Sequence, residues 1–149
     1  MMQYLEEFEA GQKFGSGRHL VEAARIKSFA AEFDPQPFHL DENIASDSLF
    51  KGLAASGWHT AAMTMRLLVQ TLNFAEGAIG LGVDELRWPN PVRPGDSLCL
   101  ETEIVDLRPS RSKPNYGIVR LRNVTTNQRG EIVQMMTASA MVPRRKLTD

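Results

Sequence analysis

The segment Ala55–Phe74, ASGWHTAAMTMRLLVQTLNF, constrains this chain more than any other. It is rich in Ala, Met and Leu, contains no proline, and carries a single charge, Arg66. The pattern predicts a long helix that is apolar around most of its circumference. Such a helix needs cover on several sides, so other elements must wrap it. The C-terminal half of the chain can supply the wrapping. Residues 78–88, 97–107, 116–126 and 131–142 are rich in Val, Ile, Thr and Leu, and PNPVRPGD, RPSRSKPN and TNQRG separate them as turns. Leu98, Leu100, Thr102 and Ile104 alternate with Cys99, Glu101, Glu103 and Val105, the pattern of a strand with one wet face. The last segment, EIVQMMTASAMV, is apolar or small on both faces. Both of its faces should be covered, one by the helix and one by a partner chain.

Upstream, Lys13 to Val21 reads as a strand, although Gly15 and Gly17 interrupt it. Glu22 to Phe33 carries Ala23, Ile26, Phe29, Ala30 and Phe33 at helical spacing, which predicts a short helix with one apolar face. Pro35 and Pro37 end it, and a second short helix is expected after Asp41, an N-cap for ENIAS. Residues 1–12, with Tyr4, Leu5 and Phe8, form an arm that packs onto the body. One long apolar helix, four antiparallel strands after it and one strand before it imply an α+β chain. Its antiparallel β-sheet is wrapped around the long central α-helix, in a single domain spanning 1–149. An open sheet leaves edges, and pairing two subunits edge to edge would hide them, so a homodimer or higher homo-oligomer is expected.

The composition narrows the function classes. The 149 residues carry a net charge of −1 with signs mixed throughout, which offers no electrostatic footprint for nucleic acid or an anionic membrane. No apolar run approaches membrane-spanning length, and acidic residues stand in MMQYLEEFEAGQ where a signal peptide would be basic. A cytoplasmic protein is expected. Cys99 is the one cysteine, read as a buried apolar thiol.

Candidate chemistry concentrates in Phe33–Asp41, FDPQPFHLD. The residue before a proline is pushed out of the helical region, so Asp34 and Gln36 should be extended or turn-like, and no helix should join Asp34 to His39. Fully extended, the five steps between them would span roughly 16 Å at about 3.3 Å each. The two side chains can share a ligand only if the loop bends, with Gln36 as a brace. An acid–base pair around one water, a capped turn with a packed histidine, and a metal site with Asp41 are the available readings. The metal reading lacks a second His or Cys at ligand spacing. Ser56-Gly57 opens the long helix, where the first backbone N–H groups have no internal acceptor. A carbonyl oxygen gaining negative charge would be stabilised there, and glycine lets it come close. Ser56 could equally be a plain cap. His59 is read as a partly exposed or hydrogen-bonded helix residue, and nothing recruits His19 to the chemistry.

Asp34-Pro35-Gln36-Pro37-Phe38-His39, then five residues to Ala45, resembles the signature of the MaoC-like family of hotdog-fold hydratases, which includes (R)-specific enoyl-CoA hydratases. SFAAEF, SLFKGLAASGWHTAAMTMRLL and RWPNPVRPGDSL resemble the family's flanking segments in order, so the likeness runs over about residues 4–142. It implies the hotdog fold and a hydro-lyase acting on a trans-2-enoyl thioester. Asp34 would be the base towards water. His39 would share that water and help protonate the α-carbon. Gly57 N–H would polarise the thioester carbonyl, beside Ser56 and Gln36 as substrate-binding residues. Coenzyme A would enter as part of an acyl-CoA substrate, with no separate cofactor and no metal. Phe33, Gln36, Phe38 and Ser56 stand where the family has Gly, Asn, an aliphatic residue and, in many members, His. Arg87, Arg93, Lys113, Arg144 and Arg145 are candidate partners for coenzyme A phosphates. The rival enzyme reading is a hotdog thioesterase, disfavoured because residues 55–74 contain no Asp or Glu. A non-catalytic acyl-thioester-binding subunit is the alternative from another class.

Overall fold

The computed structural model describes residues 1–146; residues 147–149 of the expected unit lie outside them. The long apolar segment forms helix α4 (Gly57–Thr71), preceded by α1 (Ala23–Phe33), α2 (Pro37–Leu40) and α3 (Glu42–Ser46). Five strands, β1 (Lys13–Leu20), β2 (Ile79–Arg87), β3 (Ser97–Pro109), β4 (Tyr116–Thr126) and β5 (Ile132–Pro143), make one sheet in the order β1-β3-β4-β5-β2. Every neighbouring pair is antiparallel. The sheet curls around α4, which packs against β1, β3 and β5. This is the α+β hotdog arrangement.

Alternation decides which face α4 receives. On β3, Leu98, Leu100, Thr102 and Ile104 are buried, and their cross-strand partners Thr125, Asn123 and Leu121 on β4 are buried with them. Met63, Leu67 and Leu68 of α4 complete this core. Cys99 points the other way: it is half-buried, with Sγ 3.3 Å from Thr126 Oγ1, so the expected buried thiol is not what the register produces. The N-terminal arm packs as anticipated, with a 3₁₀ turn at Leu5–Glu7 that buries Leu5 beside Phe8. β5 is buried on most of both faces, while β2 at the sheet's edge is exposed along most of its length. Among the described residues no helix is long and apolar enough to cross a membrane.

The arm is seated by Gly117. A Cβ built there would overlap Leu5 Cδ2 and lie 2.9 Å from the Arg108 carbonyl oxygen. Because that oxygen belongs to the paired strand, it cannot move aside cheaply. Gly117→Ala should therefore lower unfolding free energy by about 1–3 kcal/mol, the usual cost of overpacking. A urea titration checks this, and an unchanged midpoint would contradict the close packing.

Candidate active site

Helix α1 ends at Asp34, whose φ of −152° and ψ of 68° leave the helical region as the following proline requires. The Gln36 N–H donates back to the Asp34 carbonyl (2.7 Å), a tight reversal that bends the loop. The prolines do not exclude helix from the rest of it. Pro37 occupies the first helical position of α2, where its fixed φ and missing N–H do no harm, and His39 lies in that single turn. No helix joins Asp34 to His39, as the sequence indicated, but the single turn of α2 that holds His39 was not anticipated. Asp41 caps α3, accepting from Ile44 N–H (2.9 Å), so its carboxylate is committed to the backbone.

The bend brings Asp34 and His39 together at the start of α4. Asp34 Oδ1 accepts from Gln36 Nε2 (2.6 Å) and Oδ2 accepts from Ser56 Oγ (2.7 Å). His39 Nε2 stands 3.4 Å from the same Oδ2, beyond a good direct hydrogen bond. On its other side, His39 Nδ1 lies 2.6 Å from the Ala54 carbonyl oxygen. A carbonyl can only accept, so the ring proton sits on Nδ1, and Nε2 carries the exchangeable position facing Asp34. The imidazole is buried, with Phe38 edge-on at 4.7 Å and Phe50 at 6.0 Å between ring centres.

Ser56 serves both functions that the sequence left open. Its Oγ accepts from Trp58 N–H (3.2 Å) as the N-cap of α4, while the same hydroxyl donates to Asp34. Gly57 N–H, at the first helical position, has no acceptor within the helix. The glycine is also a packing requirement, because a Cβ there would lie 2.7 Å from the Trp88 indole. Trp88 Nε1 donates to buried Gln134 Oε1 (2.9 Å), and Trp88 meets Trp58 edge-on at 5.4 Å. Asp34, His39, Gly57, Phe50 and Trp88 all line one cleft of about 550 Å³, with Gln36 at its rim. Sequence reasoning missed Trp88, Gln134 and the Ala54 carbonyl. A tryptophan in the turn RWPNP was the one available signal.

Burial pulls the Asp34 carboxyl upward, but the hydrogen bonds from Ser56 and Gln36 and the nearby His39 ring outweigh it, leaving the group below its ordinary value. The site thus holds a carboxylate at neutral pH, an imidazole of fixed tautomer and a helix N-terminus converging on one cleft. A group bearing a carbonyl oxygen and a reacting water would meet complementary atoms there.

A family model for the MaoC like domain matches residues 7–128. The chain belongs to the MaoC-like family. The crystal structure of a MaoC-like dehydratase from Rhodospirillum rubrum superposes with a TM-score of 0.91 at 58% identity, covering 97% of this chain and 99% of that one. The uncharacterized protein YdeM of Bacillus subtilis is 35% identical over 126 residues, 84% of this chain and 88% of its own length. An (R)-specific enoyl-CoA hydratase of Rhodospirillum rubrum is 25% identical over 145 residues, 97% of this chain and 95% of its own. Of the four positions where this MaoC-like chain departs from the family signature, Gln36 and Phe38 line the cleft and Ser56 bonds Asp34, but Phe33 does not line it. Phe33 is exposed and lies against Phe29 in a tilted pair, 5.2 Å between ring centres, instead of forming the cleft wall. Three candidate phosphate partners are engaged elsewhere. Arg93 donates to the carbonyls of Gly52 (2.8 Å), Leu53 and Phe50, while Arg144 and Arg145 pair with Glu6 and Glu7.

Removing donors from Asp34 exposes the opposing desolvation. In Ser56→Ala combined with Gln36→Leu, the Asp34 pKa should rise, because both substitutions remove hydrogen bonds to the charged form. In the parent, Asp34 contributes stability above the unfolded-state pKa of about 3.9, and this is lost as pH falls through the lower folded value. Carboxyl ¹³C NMR titration of both proteins tests the shift, and an unmoved Asp34 would contradict the assigned donors.

Proposed function

We propose that this chain is a hydro-lyase that adds water reversibly to a trans-2-enoyl thioester, with coenzyme A as the thiol, giving a 3-hydroxyacyl thioester. The observation that carries the reading is the Ala54 carbonyl under His39 Nδ1. It leaves Nε2 and Asp34 Oδ2 facing each other at 3.4 Å, a spacing that suits two groups sharing one water rather than bonding directly. In the forward direction Asp34 takes a proton from that water while its oxygen bonds to the β-carbon. The electron pair of the double bond moves towards the thioester carbonyl, and the enolate-like oxygen is stabilised by Gly57 N–H and the positive end of α4. A proton from the Asp34–His39 pair then reaches the α-carbon through Nε2. The net change is H and OH across the double bond, so the chemistry needs no resident cofactor. The hydratase name carried by a relative spanning nearly the whole chain supports the same reading.

The assay follows ultraviolet loss of the conjugated enoyl thioester with free thiol measured in parallel. Loss of conjugation without thiol release is expected. Asp34→Asn and His39→Gln should each lower kcat/KM by a factor of about 10²–10⁴, the usual contribution of one acid–base group. Thiol release would favour a thioesterase, absence of turnover across an acyl series a binding subunit, and full activity of Asp34→Asn would sink the mechanism.

We further propose that the functional unit is a homodimer joined at β2. Among the described residues that strand pairs only with β5, so its outer edge is unpaired, and it exposes Ile79, Leu81 and Val83. Met65 and Val69 of α4 expose apolar side chains across the adjoining groove. An unpaired apolar edge is an aggregation hazard unless a defined partner covers it, and a second copy covers it symmetrically. Sedimentation equilibrium should give a dimer for the parent and a monomer for Leu81→Lys; a monomeric parent would refute the interface.

A further inference from the structure

A second cleft lies on the other flank of α4, between that helix, the N-terminal half of α1 and the end of β1. It encloses about 440 Å³, and its charged and titratable walls are His19, Glu22, Arg25, His59 and Arg66, with Phe29 beside them. It shares no lining residue with the Asp34–His39 cleft. Three observations set it apart from an ordinary solvated face.

The first is His59. Contrary to the sequence expectation it is nine-tenths buried, at 9% exposure, and its Nδ1 has no hydrogen-bond partner among the described residues. A buried polar atom without a partner is costly and uncommon in a native fold. The ring stacks flat on Phe29, with centres 4.7 Å apart and 8° between planes, which fixes the plane in which it lies. An enclosed N–H without an acceptor is worse than an enclosed lone pair, so the neutral ring keeps its proton on Nε2, which is not among the enclosed atoms without a partner. Burial, and then the proximity of His19, hold this imidazole below its ordinary pKa.

The second is charge. Neither Arg25 nor Arg66 has a side-chain hydrogen bond or ion pair among the described residues, although the chain as a whole carries 18 acidic residues against 17 basic ones. Most other ion pairs of the surface are made with arginine: Arg120 with Asp84, Arg122 with Glu103, Arg129 with Glu131. The third is the arrangement. Two guanidinium groups, which can each offer paired donors to an oxoanion, and two imidazoles border one concavity in which Glu22 is the only carboxylate among the described residues.

We propose that His59, His19, Arg25 and Arg66 form a binding site for a small oxoanion, a carboxylate or a phosphate group, distinct from the Asp34–His39 cleft. The exposed arginines supply charge-assisted donors, and the His59 and His19 rings supply further N–H donors. The Phe29–His59 stack fixes the plane in which the buried ring can donate to such an anion. The site does not depend on the hydratase reading, and its test does not use turnover.

The protein has three histidines, so their ring Cε1–H resonances can be followed individually. Sodium phosphate is titrated at neutral pH against sodium chloride at matched ionic strength, which removes simple screening. Saturable shifts of His59 and His19 with His39 unmoved are expected. Arg25→Gln combined with Arg66→Gln should weaken binding by about tenfold or more while circular dichroism stays unchanged, because both side chains are exposed. Shifts that grow linearly without saturating, equal shifts at His39, or undiminished affinity in the double variant would overturn the site. Acetate and coenzyme A serve as further probes. Tighter saturation by coenzyme A than by phosphate identifies the thioester carrier's phosphates as the source, and the reverse order identifies a free anion; the proposal stands in both cases.

Discussion

One hydroxyl holds the candidate active site together. Ser56 Oγ accepts the Trp58 N–H that would otherwise be orphaned at the start of α4, and donates its only proton to Asp34 Oδ2. Both demands are local, and a serine hydroxyl has just enough capacity to meet them. The consequence is long-range: the C-terminal end of α1 becomes tied to the N-terminal end of the helix that the sheet surrounds. Ser56 is wholly buried, so neither bond competes with bulk water. An alanine would lose the cap and also release the carboxylate, which a surface cap never does.

The same joint sets the electrostatics. A carboxylate in a cleft wall tends to protonate, and here two donated hydrogen bonds reverse that tendency. The imidazole is prepared from the opposite direction, by a main-chain carbonyl that accepts from one nitrogen and so dictates the state of the other. Ala54 in turn donates its N–H towards the Phe38 carbonyl (3.4 Å), and Ala55 donates to Val92 (2.9 Å). The short stretch before α4 is therefore clamped between α2 and the turn leading into β3. Arg93 adds its guanidinium to the carbonyls of Gly52 and Leu53. The imidazole is oriented by a strand-like piece of backbone fixed on both sides.

This clamping explains which parts were legible in the sequence. The order of the elements was, because a long, mostly apolar helix and four strand segments separated by turns leave few arrangements open. The convergence of Asp34, His39, Gln36, Ser56 and Gly57 was anticipated as side-chain chemistry at a bend and a helix start. The tautomer of His39 was not, since it depends on a carbonyl that every residue possesses. The single turn of α2 was missed because two prolines were read as helix breakers, whereas Pro37 sits where a helix tolerates it. Trp88 was missed because its contact with Gly57 joins β2's end to α4's start, a neighbourhood that only folding creates.

Phe33 shows how a departure from the family pattern can act away from the cleft. In the sequence it stands where the family has glycine, directly before Asp34. In the fold its side chain leaves the cleft and extends a row of rings along α1: Phe33 on Phe29, and Phe29 flat on His59. A four-residue step along a helix brings two aromatic rings onto one face, so the first pair is a consequence of the spacing alone. The second pair crosses from α1 to α4. The residue preceding Asp34 thus packs outward against the support of His59, and α1 presents its carboxylate at one end and its aromatic row along one side. The substitution at Phe33 bears less on what enters the Asp34–His39 cleft than on how α1 is held against α4.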